Sequence, residues 1–298
     1  MTDAVTAPPT DQQRQPLLAS SRKGIDAALA PSSAAAATIT TSLPSVPATV
    51  AFPPPSPELA DAVPSPHVPR ANVAPTAEKP DGGVIPAGQE GMSVLQRHCA
   101  FFDHRGDGII WPSDTYRGFH EIGLIWPLAV VACFVIHGTF AFWSADSIWS
   151  ALRDLPRGAP LQIKNMDRCL HGSHSGSYDS AGRFDVAAFE RVFSSFGEVR
   201  NGIPGISWRG ILTMLRRQRS IMDPMGMTAA FLEWGTLYLL AADHERGFLE
   251  KEDARGCFDG TLWPRLAERV AERRARGRGG GWAAWGSSDG GAGRPHAQ

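Results

Sequence analysis

From Ile122 to Trp143 the chain reads IGLIWPLAVVACFVIHGTFAFW, 22 residues without an Asp, Glu, Lys or Arg. No other stretch constrains the fold so tightly, because an element that is apolar all round has to be covered by protein or by lipid. Rising about 1.5 Å per residue, a helix of this length could cross a hydrocarbon core about 30 Å thick. Pro127 stands where a helix starts or kinks, and Trp126, Trp143 and Trp149 are of the type that settles at a membrane interface. His137 interrupts the run with an imidazole that needs a partner. The segment reads as membrane-associating, and the alternative is a fully buried helix of a soluble core.

Composition divides the rest of the 298 residues. Residues 1–90 hold 16 of the 24 prolines and one aromatic, Phe52, of the 26 in the chain. Such a segment buries too little apolar surface to offset its ordering entropy, so it reads as a disordered Pro/Ala-rich tail. The Gly/Arg-rich end, 275–298, reads the same way, leaving a folded domain over 91–274. A net charge of -1 gives no reason to expect nucleic acid. Cys99, Cys133, Cys169 and Cys257 have no C-x-x-C spacing, and the chain does not open with a basic and then apolar leader. Together these predict a reducing, cytosol-facing setting and exclude a disulfide scaffold or zinc ribbon.

Helical spacing of Val94, Leu95, His98, Phe101 and Phe102 predicts a helix running into Asp103. Asp103 to Asp114, DHRGDGIIWPSD, then has the length and layout of an EF-hand calcium loop. Asp103, Asp107 and Asp114 take the first, fifth and twelfth positions, Gly108 the sharp turn, and Ile109 the backbone carbonyl. Arg105 stands at the third position, where an oxygen donor is usual, and Asp114 is shorter than the usual glutamate. Calcium binding is therefore expected to be weakened, and a metal-free brace is the alternative. EF-hand loops pair through their eighth residue; here that is Ile110, and the partner expected is Leu249, in a degenerate second loop over about 242–253.

Val186–Phe196 reads as an amphipathic helix and Ser207 as the N-cap of the next. A second apolar helix over Met225–Ala242, interrupted by Glu233, precedes helices over 251–258 and 262–274. The fold class expected is mostly α: an EF-hand-like helix-loop-helix pair, an inserted apolar membrane-associating helix and long disordered termini.

Two histidines carry weight. His98 lies on the apolar face of its helix, where a histidine is more often a satisfied core residue than a ligand. His171 opens the polar loop HGSHSGSYDSAGRF, and His171-x-x-His174 alone is a weak metal signal. The segments LQRHCAFFDHRGDGIIWPSDTYRGF, HGSHSGSYDSAGRFDVAAFERVF and FLEWGTLYLLAADHERGFLEKEDARGCFDGTLW, with the apolar run between the first two, resemble the caleosins, or peroxygenases, of plants and fungi. The resemblance spans about Gly91 to Leu266 in order.

It implies a calcium-binding haem b protein at a lipid-droplet or endoplasmic-reticulum surface. Such a protein passes oxygen from a fatty acid hydroperoxide to an unsaturated lipid or another acceptor. His98 and His171 match the two haem-linked histidines of the family; His174 matches none. From their positions, His98, held by the helix that enters the loop, is expected as the axial ligand and His171, on a loop, as a displaceable ligand or distal base, with the reverse assignment open. A proline knot after the apolar segment is not clear around Pro156 and Pro160. The alternative function is a non-enzymatic calcium-binding structural protein of lipid droplets, and a soluble EF-hand-like regulator is the third reading.

Overall fold

The computed structural model describes residues 57–276; of the tails expected over 1–90 and 275–298, residues through 56 and from 277 lie outside the described residues. Helix α1 (Pro57–Ala62) is followed by an irregular segment and α2 (Val94–Ala100), which starts at a capping box formed by Ser93 and Gln96. Strand β1 (Ile109–Ile110) leads into α3 (Pro112–Glu121), the apolar helix α4 (Trp126–Ser144) and α5 (Ile148–Asp154). After β2 (Leu161–Gln162) a 3-10 segment over Ile163–Cys169 ends just before His171. Then come α6 (Val186–Phe196), β3 (Glu198–Arg200), β4 (Ile203–Ser207), α7 (Trp208–Gln218) and α8 (Pro224–Ala241). Strand β5 (Phe248–Glu250), α9 (Lys251–Phe258) and α10 (Leu262–Ala275) complete the order.

The mostly helical class is as expected, and α6 and the Ser207 cap of α7 fall where the sequence placed them. The strand pairing corrects the sequence reading. Ile110 pairs with Leu161 in the β1–β2 ladder, whereas Leu249 pairs with Ile206 in the antiparallel sheet β3-β4-β5. Each pair joins two buried apolar residues, so burial is satisfied in two separate small sheets and Ile110 does not pair with Leu249.

Packing begins upstream of Gly91. Leu59, Val63 and Ala74 are buried, and Arg70 and Phe184 exchange both backbone hydrogen bonds at 2.8 Å. The guanidinium of Arg97 in α2 is buried and donates to the carbonyls of Asn72 and Val84. Lys251, also buried, donates to Glu78 at 2.7 Å and to Glu190 at 2.6 Å. A few apolar anchors and paired main-chain groups suffice here because the core beneath is supplied by other elements.

Helix α4 explains its own composition. Pro127 occupies its first turn, where a missing N–H costs nothing. Ala129, Cys133, His137, Ala141 and Ser144 are buried, a stripe of mostly small residues on one face. That stripe lies on α3, β2 and the 163–169 segment. His137 is satisfied there: its Nδ1–H donates to Ala159 O and the Thr115 hydroxyl donates to its Nε2, both at 2.8 Å. The outer face carries Trp126, Val131, Phe134, Phe142 and Trp143, all at least half exposed. The helix is thus apolar on both sides and covered on one.

Candidate functional site

His98 lies in the last turn of α2, with its Nδ1 2.7 Å from the carbonyl oxygen of Cys257. A carbonyl only accepts, so Nδ1 carries the proton and Nε2 keeps its lone pair. Trp263 packs edge-on against the imidazole at 5.4 Å, and its indole N–H donates to the carbonyl of His98 at 3.0 Å. Gly260 makes this contact possible: its φ is +78°, and a Cβ there would stand 2.5 Å from the Arg97 carbonyl oxygen. Burial pushes the pKa of His98 down, against the opposing pull of the Cys257 hydrogen bond and Glu233, so the ring is held neutral.

The same turn is anchored from two further sides. The Tyr178 hydroxyl donates to Phe258 O at 2.6 Å, and burial raises its pKa well above the ordinary tyrosine value. Arg255 Nη1 donates to Asp259 Oδ2 at 2.5 Å, both side chains being buried, while Asp259 Oδ1 accepts from the hydroxyl of Thr261 at 2.6 Å. Three consecutive residues, Cys257 to Asp259, therefore tie His98, Tyr178 and Arg255 together.

His171 is mostly buried and stands between two carboxylates. Its Nε2 is 3.7 Å from Glu233 on α8, and its Nδ1 is 3.8 Å from Asp223 at the N-cap of α8. Nδ1 has no hydrogen-bond partner at that distance, and Asp223 accepts instead from the N–H groups of Ser173 at 2.9 Å and Gly226 at 2.8 Å. Burial works against a charged His171, but Glu233 and Asp223 outweigh it and its pKa is raised. His174 faces His171 edge-on at 6.2 Å; burial and the neighbouring imidazole lower its pKa.

Glu233 connects the two halves, since its charge acts on both His98 and His171. The sequence carried a sign of this, a lone carboxylate in an otherwise apolar helix, but not its partners. The thiols nearby are protonated: burial pushes Cys99 and Cys169 up to about 12. All four cysteines are free.

The loop over 103–114 is closed on itself. Asp103 accepts from the N–H groups of Gly106 and Gly108 at 2.9 and 2.7 Å, and Asp107 from that of Ile109 at 3.0 Å. Asp114 accepts from Trp111 N–H at 3.1 Å and stands 3.6 Å from the Arg105 guanidinium, which in turn lies over the Trp111 ring. Among the described residues no group of three or more His, Cys, Asp or Glu is gathered so as to hold a metal. The cation at the third position of the loop is supplied by the chain itself, so calcium does not fit the loop in this form.

The sequence pattern of the caleosin-related protein family matches residues 90–267. A peroxygenase from Lilium longiflorum is 38% identical over 182 residues, which are 61% of this chain and 73% of that protein. A probable peroxygenase 4 from Arabidopsis thaliana is 31% identical over 188 residues, 62% of this chain and 90% of that protein. A probable inactive peroxygenase-like protein of the same plant is 32% identical over 101 residues, 34% of this chain and 47% of that protein. No solved structure gives a significant match. Both histidines, the apolar helix and Glu233 fall inside the matched segment, and the chain belongs to the caleosin family.

Proposed function

We propose that this protein is a haem-dependent peroxygenase that works at a lipid surface, taking oxygen from a hydroperoxide, typically of a fatty acid, to an unsaturated lipid or other acceptor. The observation that carries the reading is the pair of imidazoles. His98 is oriented by a backbone carbonyl so that Nε2 is available, the arrangement in which histidine ligates metals. His171 has a buried ring nitrogen without a partner. Both fit a haem better than the protonated thiols beside them do. The relatives named as peroxygenases support the same activity.

In this reading His98 would hold the haem through Nε2, and the fixed Nδ1–H···O=C bond keeps its tautomer and ring plane. Haem, when bound, supplies the iron at which the peroxide O–O bond is split. His171 would act as a base whose proton affinity is set by Glu233 and Asp223. It takes a proton from the incoming hydroperoxide and returns one to the departing oxygen. The uncovered apolar face of α4 seats the protein against lipid, at a droplet or endoplasmic-reticulum surface, with the packed stripe holding the helix on the protein. In the loop over 103–114 the Arg105 guanidinium, not calcium, stands beside Asp114, so the activity is independent of calcium.

The test is an absorption spectrum of haem-supplemented protein in detergent, for wild type, His98→Ala and His171→Ala, followed by hydroperoxide-dependent epoxidation. A Soret band lost in His98→Ala and retained with lost turnover in His171→Ala is the expected result. Wild type without stoichiometric haem moves the reading to a structural lipid-droplet protein, a role compatible with the relative named as inactive.

A further inference from the structure

We infer that the corner between α7 and α8 is a second lipid-docking element, one that grips an anionic lipid surface and holds the His171 side of the site against it. The inference extends the proposed function, but its core rests on observations independent of any chemistry.

Helix α7 ends in Arg216 and Arg217, with Arg219 directly after, and all three are exposed. Ile221 and Met222 follow at 86% and 88% exposure, and Met225 at 62%. Large apolar side chains so fully exposed, flanked by arginines, match the chemistry of a lipid surface: headgroup phosphates for the guanidinium groups, acyl chains for the apolar tips. The three arginines complement an acidic headgroup layer, while the Ile221–Met222 tip stands clear of the fold at the depth acyl chains would meet.

Helix α8 repeats the pattern of α4 in shorter form. Trp234, Leu237 and Leu240 face the core, whereas Phe231 and Leu232 remain exposed on the far side. Glu233 limits the apolar run, so this helix lies on a surface and does not cross one.

The corner is also wired to the candidate site. Ser220 N–H donates to the Ser173 hydroxyl at 3.2 Å, and Ser173 N–H donates to Asp223 at 2.9 Å, two residues from His171. Seating Ile221 and Met222 in lipid therefore places His171 and Glu233 at the lipid boundary, where an acyl hydroperoxide arrives without passing through water.

The experiment attaches an environment-sensitive fluorophore at Met222→Cys in the full chain, with the unsubstituted protein as labelling control, and adds vesicles of phosphatidylcholine alone or mixed with phosphatidylserine. The label is expected to brighten and shift to the blue, more strongly on the acidic vesicles. At about 1 kcal/mol per basic residue near an acidic surface, R216Q/R217Q/R219Q is expected to weaken the acidic-lipid-dependent component roughly 100-fold. A label that stays aqueous while the protein floats with vesicles through α4 overturns the inference. So does a blue shift that grows with protein concentration without lipid, which assigns the corner to a second copy. Neither readout needs haem or turnover, so failure of the peroxygenase reading is seen separately. If both hold, Met222→Asp raises KM for a vesicle-held fatty hydroperoxide several-fold and leaves KM for a water-soluble alkyl hydroperoxide unchanged.

Discussion

Asp259→Asn removes one charge from a fully buried pair while keeping the side chain's size. Arg255 and Asp259 are 1% and 0% exposed and meet at 2.5 Å. Breaking such a pair from one side costs about 3–5 kcal/mol, because the remaining charge stays buried. Two features place the expected cost at the lower end. Arg255 keeps its fork on Glu252, at 2.7 and 2.8 Å, and asparagine can still accept from Thr261 through Oδ1. A loss of about 3 kcal/mol corresponds to a fall in Tm of roughly 6–12 °C for a domain of this size. Circular dichroism melts and urea titrations of both proteins measure it. A companion variant, Arg255→Met with Asp259→Leu, is expected to recover most of the loss, since apolar replacement of both partners is often neutral. A Tm within about 2 °C of wild type for the single variant, or a double variant no better than the single, refutes the reasoning. The buried pair would then not be what holds the turn beneath His98.

The other predictions concern the site and the loop. The pKa of His171 is raised in the fold, so its stabilising contribution is complete below about 6.5 and is lost as pH rises through the higher folded value. Glu233→Gln is therefore expected to be less stable than wild type at pH about 6, with the two melting curves converging as pH increases; a gap that widens with pH contradicts the assignment. Gly260→Ala puts a Cβ into the Arg97 carbonyl at a positive φ, and is expected to cost about 1–3 kcal/mol and to weaken haem retention, read from the melt and the Soret band together. Calcium or chelator is expected to leave the wild-type Tm unchanged within about 1 °C, whereas Arg105→Asn gains a calcium-dependent rise; a rise in wild type shows that Arg105 is displaced by the ion.

What the sequence revealed and what it hid follow one division. Helices α6 and α7 announce themselves through local spacing and a Ser cap, and the lone carboxylate of α8 was visible in an apolar run. The His98 ring was placed on the right face, but its partner, the carbonyl of Cys257, is a backbone atom 159 residues away that no side-chain pattern encodes. Asp223 and Glu233 reach His171 for the same reason, through the packing of α8 and not through spacing. The partner of Ile110 was misread because strand pairing depends on which apolar strand arrives in space, and Leu161 has no calcium-loop neighbourhood to mark it. The segment over 57–90 looked disordered because composition averages over ninety residues. Buried Leu59, Val63, Pro66, Ala74 and Pro75 and the backbone bonds of Arg70 are enough to dock it.

That docked segment changes what counts as the unit of folding. A fragment beginning at residue 91 would retain nearly the whole family match and both histidines, yet it would strip Arg97 of the Asn72 and Val84 carbonyls and Lys251 of Glu78. An arginine stranded inside the protein, one residue before His98, would then loosen the helix that presents the imidazole. Cleavage or modification between residues 70 and 84 thus becomes a lever on the site from outside the matched segment, and the smallest piece that folds faithfully is longer than the piece the family shares.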